Sequence, residues 1–303
     1  MAQPDAATLE QLDPLVAELV GLAGTPERVH YAAGVLLDAE DFGAEQRYAR
    51  GRLARALAAL FGAGTIAGLA VSCGDTPERE VTVAPGLALD RLGRLIEVRR
   101  SQCLRLVRWL LALASAGEAR RVVALASVRD GEGGRVLPLD VHLRFAACPR
   151  GRTPAFATGP FNATDYTVPA RVADGFELLL DFAPAAPDSS LREPANAVPP
   201  YDAALAELAA LPEEARPARR RELAVDAALA AWPLPDPANT SRLRPLSEHR
   251  EPESWLNLLL ARLVVPVTQT GPDALPVLDA ARPVAVDNRL RPIVFNPHRW
   301  QGS

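Results

Sequence analysis

The sequence predicts an α+β fold: N-terminal helices packed on a small antiparallel β-meander, further β-strands, and a Pro-rich, partly irregular C-terminal part. Residues 38–64 carry an unbroken helical pattern closed by glycines, and residues 65–98 alternate short β-rich runs with turn residues. The 28 prolines in 303 residues, about twice the usual share, leave much of the last third irregular.

The segment 6–23 places Leu9, Leu12, Val16, Leu19 and Val20 at helical spacing, with Pro14 as a break and Gly21 to Gly24 as its end. An extended stretch, HYAAGVLLD, follows. In residues 38–64, Asp38 suits the cap, and Glu40 and Asp41 suit the positive first turn. Phe42, Ala49, Leu53, Ala56, Leu57 and Leu60 form one apolar face, expected to lie on the sheet. Arg47, Arg50 and Arg55 mark much of the opposite face, and Gly62 and Gly64 supply the stop.

Strands are then expected at 65–72, 80–84, 87–89 and 94–98, joined by a GDTPE turn, by Pro85-Gly86 and by the turn Asp90 to Gly93. Residues 101–117 return to helical spacing through Leu104, Val107, Leu111 and Ala114. Further strands are expected at 121–128, 137–145 and 176–182. An Ala-rich helical stretch, 201–232, is broken near Pro212 and Pro217. The apolar run 255–267 is ambiguous in its first half and strand-like in LVVPV, and an extended tail follows. The chain thus divides into a helix-plus-meander docking unit (1–100), a helix with antiparallel strands (101–183) and a Pro-rich linker (184–200). The remainder, 201–303, holds a helical hairpin, a Pro-rich arm at 233–252 and the β or extended tail.

Composition narrows the function classes. Hydrophobic residues at 49% and charged residues at 23% describe a globular chain. A net charge of −4 gives nucleic acid no general electrostatic reason to bind. No stretch approaches the roughly 18–20 apolar residues that span a bilayer, and the acidic start lacks a secretory pattern, so synthesis in the cytoplasm without membrane insertion is expected. All 33 basic residues are arginine, which excludes a Walker A lysine, a pyridoxal Schiff base and a Ser-Lys dyad.

The local candidates for chemistry are weak. Gly62-Ala-Gly64-Thr-Ile-Ala67 has the form of a dinucleotide fingerprint, but a helix precedes it and a strand follows, so the glycines meet the wrong helix end. Asp38, Glu40, Asp41 and Glu45 read as an acidic first turn rather than a cation site. His142 lies in the strand pattern Asp140-Val-His142-Leu-Arg144, on its polar face. His30, His249 and His298 sit in loop-like surroundings. Cys73, Cys103 and Cys148 read as separate inert thiols, and Arg99-Arg100 and Arg219 to Arg221 as solvated charge. No catalytic, cofactor-binding or metal-ligating residue is expected.

One longer pattern is more specific. Tyr31 and Gly34 precede Leu36-Leu37; Asp41-Phe42, Glu45-Gln46 and Tyr48 open the helix; Gly62, Gly64 and Gly68-Leu69 follow it. The segment Val83-Ala-Pro85-Gly86-Leu-Ala-Leu-Asp90-Arg-Leu-Gly93-Arg94 completes it. Over residues 30–98 this resembles proteins encoded with bacterial contractile injection systems, which are phage-tail-like particles, and the opening domain of phage tail and baseplate-associated proteins. Gly-Ala-Gly-Thr at 62–65 departs from the bulkier residue usual there. The resemblance implies a non-enzymatic structural or assembly component of such a particle, baseplate-associated or a fibre-attachment adaptor. Its partners would be baseplate, tube or fibre subunits, or further copies of itself, in a particle that is released or surface-associated. The alternatives are a cargo or effector delivered by the particle, and a ligand-binding module displayed on it; aromatics at only 5% argue against a sugar-stacking platform.

Overall fold

A computed structural model describes residues 27–76, 78–115, 122–123, 128, 133–154, 167–183, 207–230, 254–271 and 274–294. The segment 6–23, the linker 184–200 and the arm 233–252 lie outside the described residues. Among the described residues the architecture is mixed α+β, with helices and antiparallel sheets.

Helix α1 spans Ala39–Phe61 and begins as expected. The Asp38 side chain accepts from the Glu40 and Asp41 amides, and the Asp41 carboxylate accepts from the Asp38 amide in return. Gly62 closes the helix, its amide donating to the Ala58 carbonyl.

Residues 64–105 form two three-stranded antiparallel sheets, joined as one bent meander. Strands β1 (Gly64–Gly68) and β2 (Val71–Cys73) face β4 (Gly86–Leu89) and β3 (Glu80–Val83) in antiparallel register, from Gly64 opposite Leu89 to Cys73 opposite Val81, with a one-residue shift between Thr65 and Ala67. Leu69 turns the corner with φ 58, fully buried, and its amide donates to the Pro85 carbonyl at 3.1 Å. The third bent strand consists of β5 (Leu95–Val98) and β6 (Gln102–Arg105), which pair with β4 and β3. Residues 102–105 are therefore strand rather than the start of a helix. The edge of β3 takes them into the ladder, and helix α2 (Leu106–Ser115) begins only after it.

The turn between β4 and β5 is built on Asp90. Its carboxylate accepts from the Leu92 and Arg94 amides and from Arg94 Nε at 2.6 Å, and Arg94 lies over the Phe145 ring at 4.3 Å. Burial pushes the Asp90 carboxyl above its ordinary value, while Arg94 pulls the other way. Gly93, at φ 82, lets the Ala54 carbonyl of α1 sit against the turn; a Cβ there would overlap that oxygen.

The larger sheet runs β10–β7–β11. Strand β7 (Val136–Arg150) is central, β10 (Arg171–Phe182) pairs with it from Arg171 opposite Arg150 to Phe182 opposite Leu139, and β11 (Leu258–Thr268) lies on its other side. Both expected strands are longer than predicted, and the ambiguous start of the 255–267 run resolves as strand from Leu258. A two-stranded hairpin, β8 (Thr153–Pro154) with β9 (Thr167–Val168), extends beyond β7 and β10. Strands β12 (Val277–Leu278) and β13 (Ala285–Asp287) pair with β11. Leu139, Val141 and Leu143 of β7 join Leu260, Leu263 and Val265 of β11 in one core with Val81, Val83, Ile96 and Val98 of the meander. Residues on both sides of the boundary expected at 100 thus share this core. Trp109 of α2 meets the Phe182 ring at a centroid distance of 5.3 Å.

Two further expectations are corrected. Residues 122 and 123, in the run read as a strand at 121–128, are helical, although most of that run lies outside the described residues. The break at Pro212 is present, but Pro217 does not break the chain. It sits in the first turn of α3 (Arg216–Ala230), where its missing amide removes no helical bond. Arg219 ties α3 to the helical residues 207–210 that precede the turn, through Glu207 at 2.8 Å.

Residues 279–294 strap the meander. Asn288 mimics a strand neighbour, accepting from the Val71 amide and donating to the Val71 carbonyl, both at 2.9 Å. The Thr65 amide donates to the Pro292 carbonyl, and the Val294 amide to the Thr65 carbonyl. Gly64 permits this approach, because a Cβ on it would lie 2.7 Å from the Pro292 carbonyl group. Two buried arginines bolt the strap down by backbone carbonyls. Arg79 reaches those of Asp279, Ala280 and Arg282, and Arg291 reaches those of Leu69 and Asn288. Burial lowers the Arg291 pKa from its ordinary value. Asn288→Ala should cost about 1–3 kcal/mol, since it orphans the buried Val71 amide. Urea denaturation would read the loss, and faster hydrogen exchange at Val71 would locate it.

Candidate functional site

The side of α1 that meets the protein is not its apolar side. Only Ala54 is buried, against the Gly93 turn. Arg47, Arg50 and Arg55, expected to point away, are half-buried, and Arg50 reaches Asp174 of β10 at 3.7 Å. The apolar face expected on the sheet points outward: Phe42 is 56% exposed, Leu53 61% and Leu60 75%. The physical reason is that the inner faces of the meander and of β7 and β11 already fill one another, leaving α1 only the glycine turn to dock on.

The exposed positions form a seam. Phe42, Gln46, Ala49, Leu53, Ala56 and Leu60 recur at alternating steps of four and three residues, the rhythm of a helix–helix contact line. The approach to α1 adds exposed Tyr31, Val35 and Leu36, the last 93% exposed, and Phe61 closes the far end. Together these side chains make one extended exposed apolar surface along α1 and its approach.

The other candidates do not converge. Gly62 stands at a helix end and Gly64 at a strand start, where Gly64 faces Pro292 of the strap rather than a helix N-terminus. Asp38 and Asp41 are consumed by the cap, and Glu40 and Glu45 stand on the same first turns without further ligand groups. Among the described residues no cluster of three or more His, Cys, Asp or Glu side chains could hold a metal ion. His142 is buried rather than on a wetted face, between its strand partners Leu179 and Leu259. His30 is exposed, while His249 and His298 lie outside the described residues.

Arg99 meets Glu97, and Arg219 meets Glu207 and Glu222, so these arginines are balanced by carboxylates. The three thiols are free. Burial raises the Cys73 pKa, and desolvation with the Glu80 carboxylate raises that of Cys103, the opposite of what an activated thiolate needs. Sequence reasoning missed the buried pair Asp140–Arg262, whose side chains meet through two bonds of 2.7 and 2.8 Å across β7 and β11. The charged residues within apolar strand runs were its only signal.

No helix among the described residues is long and apolar enough to cross a membrane. Comparison with protein-family models gives no match, and a search of curated proteins gives none either.

Proposed function

We propose that this chain is a non-enzymatic assembly component of a contractile, phage-tail-like injection particle, serving as a baseplate-associated or fibre-attachment adaptor. The observation that carries the reading is the outward apolar surface over residues 31–61, which lies beside a core complete without it. The likeness over residues 30–98 supports the kind of partner, because that same stretch supplies both the exposed approach to α1 and the meander holding it. Leu36 would act as an anchor, entering a pocket of a neighbouring subunit as large apolar side chains do at interface centres.

The test is size-exclusion chromatography with light scattering, on the protein alone and mixed with sheath, tube and baseplate proteins of such a particle. Co-elution with a baseplate component is expected, as is its loss in Leu36→Asp without a change in unfolding midpoint. A protein that binds none of the components, alone or mixed, would overturn the reading.

A further inference from the structure

Among the described residues strand β10 has one hydrogen-bonded neighbour, β7, and its other edge is open. We propose that this edge pairs with the same strand of a second copy of the chain, antiparallel about a two-fold axis at Phe176, so that the large sheet continues from one copy into the next. The inference goes beyond the particle reading and makes no use of the apolar side of α1.

The register fixes which backbone groups face the open side. The Ala183 amide donates to the Pro138 carbonyl at 3.0 Å, which makes these two a hydrogen-bonded pair at the end of the β10–β7 ladder. Alternation then turns the odd-numbered residues of β10 toward β7 and the even-numbered ones outward. Phe182 agrees, since its amide donates to the Asp181 carboxylate at 2.7 Å rather than to β7. Val172, Asp174, Phe176, Leu178 and Leu180 therefore present their amides and carbonyls outward, and among the described residues these groups meet no hydrogen-bond partner. Strand β5 approaches both β10 and β7, so it lies over the face of the sheet and not along this edge. Asp174 keeps 67% of its side chain exposed there.

Open edges are commonly protected by proline, by a bulge or by shortness. Strand β10 is 12 residues long and holds none of the chain's 28 prolines. It runs along β7 without a register shift, whereas β11 has one. Such an edge accepts an added strand.

Charge selects the occupant. With the axis at Phe176, Arg171 lies opposite Asp181 of the second copy at both ends of the pairing, Val172 opposite Leu180 and Asp174 opposite Leu178. All five outward residues then meet outward residues, so each donor faces an acceptor. Centred on Asp174 or on Glu177, the axis would set a carboxylate against its own copy. A strand of unrelated sequence has no reason to match both ends.

The test is size exclusion with light scattering on the full chain over a wide concentration range. Twice the chain mass is expected at high concentration, falling to the chain mass on dilution. Asp174→Pro removes an outward amide and spares the bonds to β7, so it should abolish the dimer without changing the far-ultraviolet circular dichroism. Arg171→Asp and Asp181→Arg should each weaken self-association about tenfold. An equimolar mixture of those two variants should restore it, because each then meets the opposite charge at both ends. If Asp181→Arg does not fold, Asp174→Pro decides alone. A monomer at every concentration, a dimer that survives Asp174→Pro, or a mixture no tighter than its components would overturn the proposal. A particle protein that binds the monomer and is lost in Asp174→Pro would overturn it too, giving the edge to that partner. Leu36→Asp should leave the dimer intact, so this proposal and the particle reading fail separately.

Discussion

Asp140→Ala is expected to lower the stability of the fold by about 3–5 kcal/mol. Asp140 and Arg262 are direct register partners on β7 and β11, both buried, and joined side-on by two hydrogen bonds. Removing the carboxylate leaves a guanidinium inside the sheet without the charge that balances it. The double replacement Asp140→Leu with Arg262→Met should recover most of the loss, because it removes both desolvated charges and leaves apolar side chains between two apolar strands. Urea midpoints for the two single variants and the double variant give the coupling directly. Equal losses in the single and double variants would mean that the sheet needs the pair's shape rather than its charge balance.

Gly93→Ala should follow, at about 2–5 kcal/mol, from two separable causes: a left-handed backbone and a collision with α1. Gly34 provides the control. It has φ 85, close to the φ 82 of Gly93, but nothing lies within 4 Å of where its Cβ would stand. Gly34→Ala should therefore cost only about 1 kcal/mol, the conformational part. The excess at Gly93 measures how α1 is held, and hydrogen exchange should rise in α1 and in residues 90–94 while β7 and β10 keep their protection. Comparable losses at the two glycines would remove the Ala54 contact as the anchor of the helix.

What could be read from the residues is what neighbouring residues decide. The capping box of Asp38 and Asp41, the Gly62 stop and the Asp90–Gly93 turn each depend on groups within four positions, and all are present. Short strands between residues 64 and 98 were legible too, since they follow one another through short turns. Residues 102–105 were misread because Leu104 and Val107 fit a helical period, while the partner that makes them strand, β3, lies some twenty positions back. The apolar stripe of α1 was identified correctly, but amphipathicity does not say which side a helix turns to its own chain. The side was settled by how fully β7, β11 and the meander fill one another. Arg79 and Arg291 had no signal at all, because a guanidinium that binds carbonyls some two hundred positions away looks in sequence like any surface arginine.

The strap imposes an order on synthesis. The Val71 backbone is completed by the Asn288 side chain, and the central strand β7 lacks one neighbour until β11 has been made. During translation the meander therefore emerges with an open edge and must wait while more than two hundred further residues are added. Contacts of such separation form slowly, and exposed edges recruit other chains in the interval. A ribosome-bound nascent chain stalled before the strap has emerged should consequently bind chaperones and resist compaction. Emergence of the strap, rather than growth of the meander, would set the moment of folding.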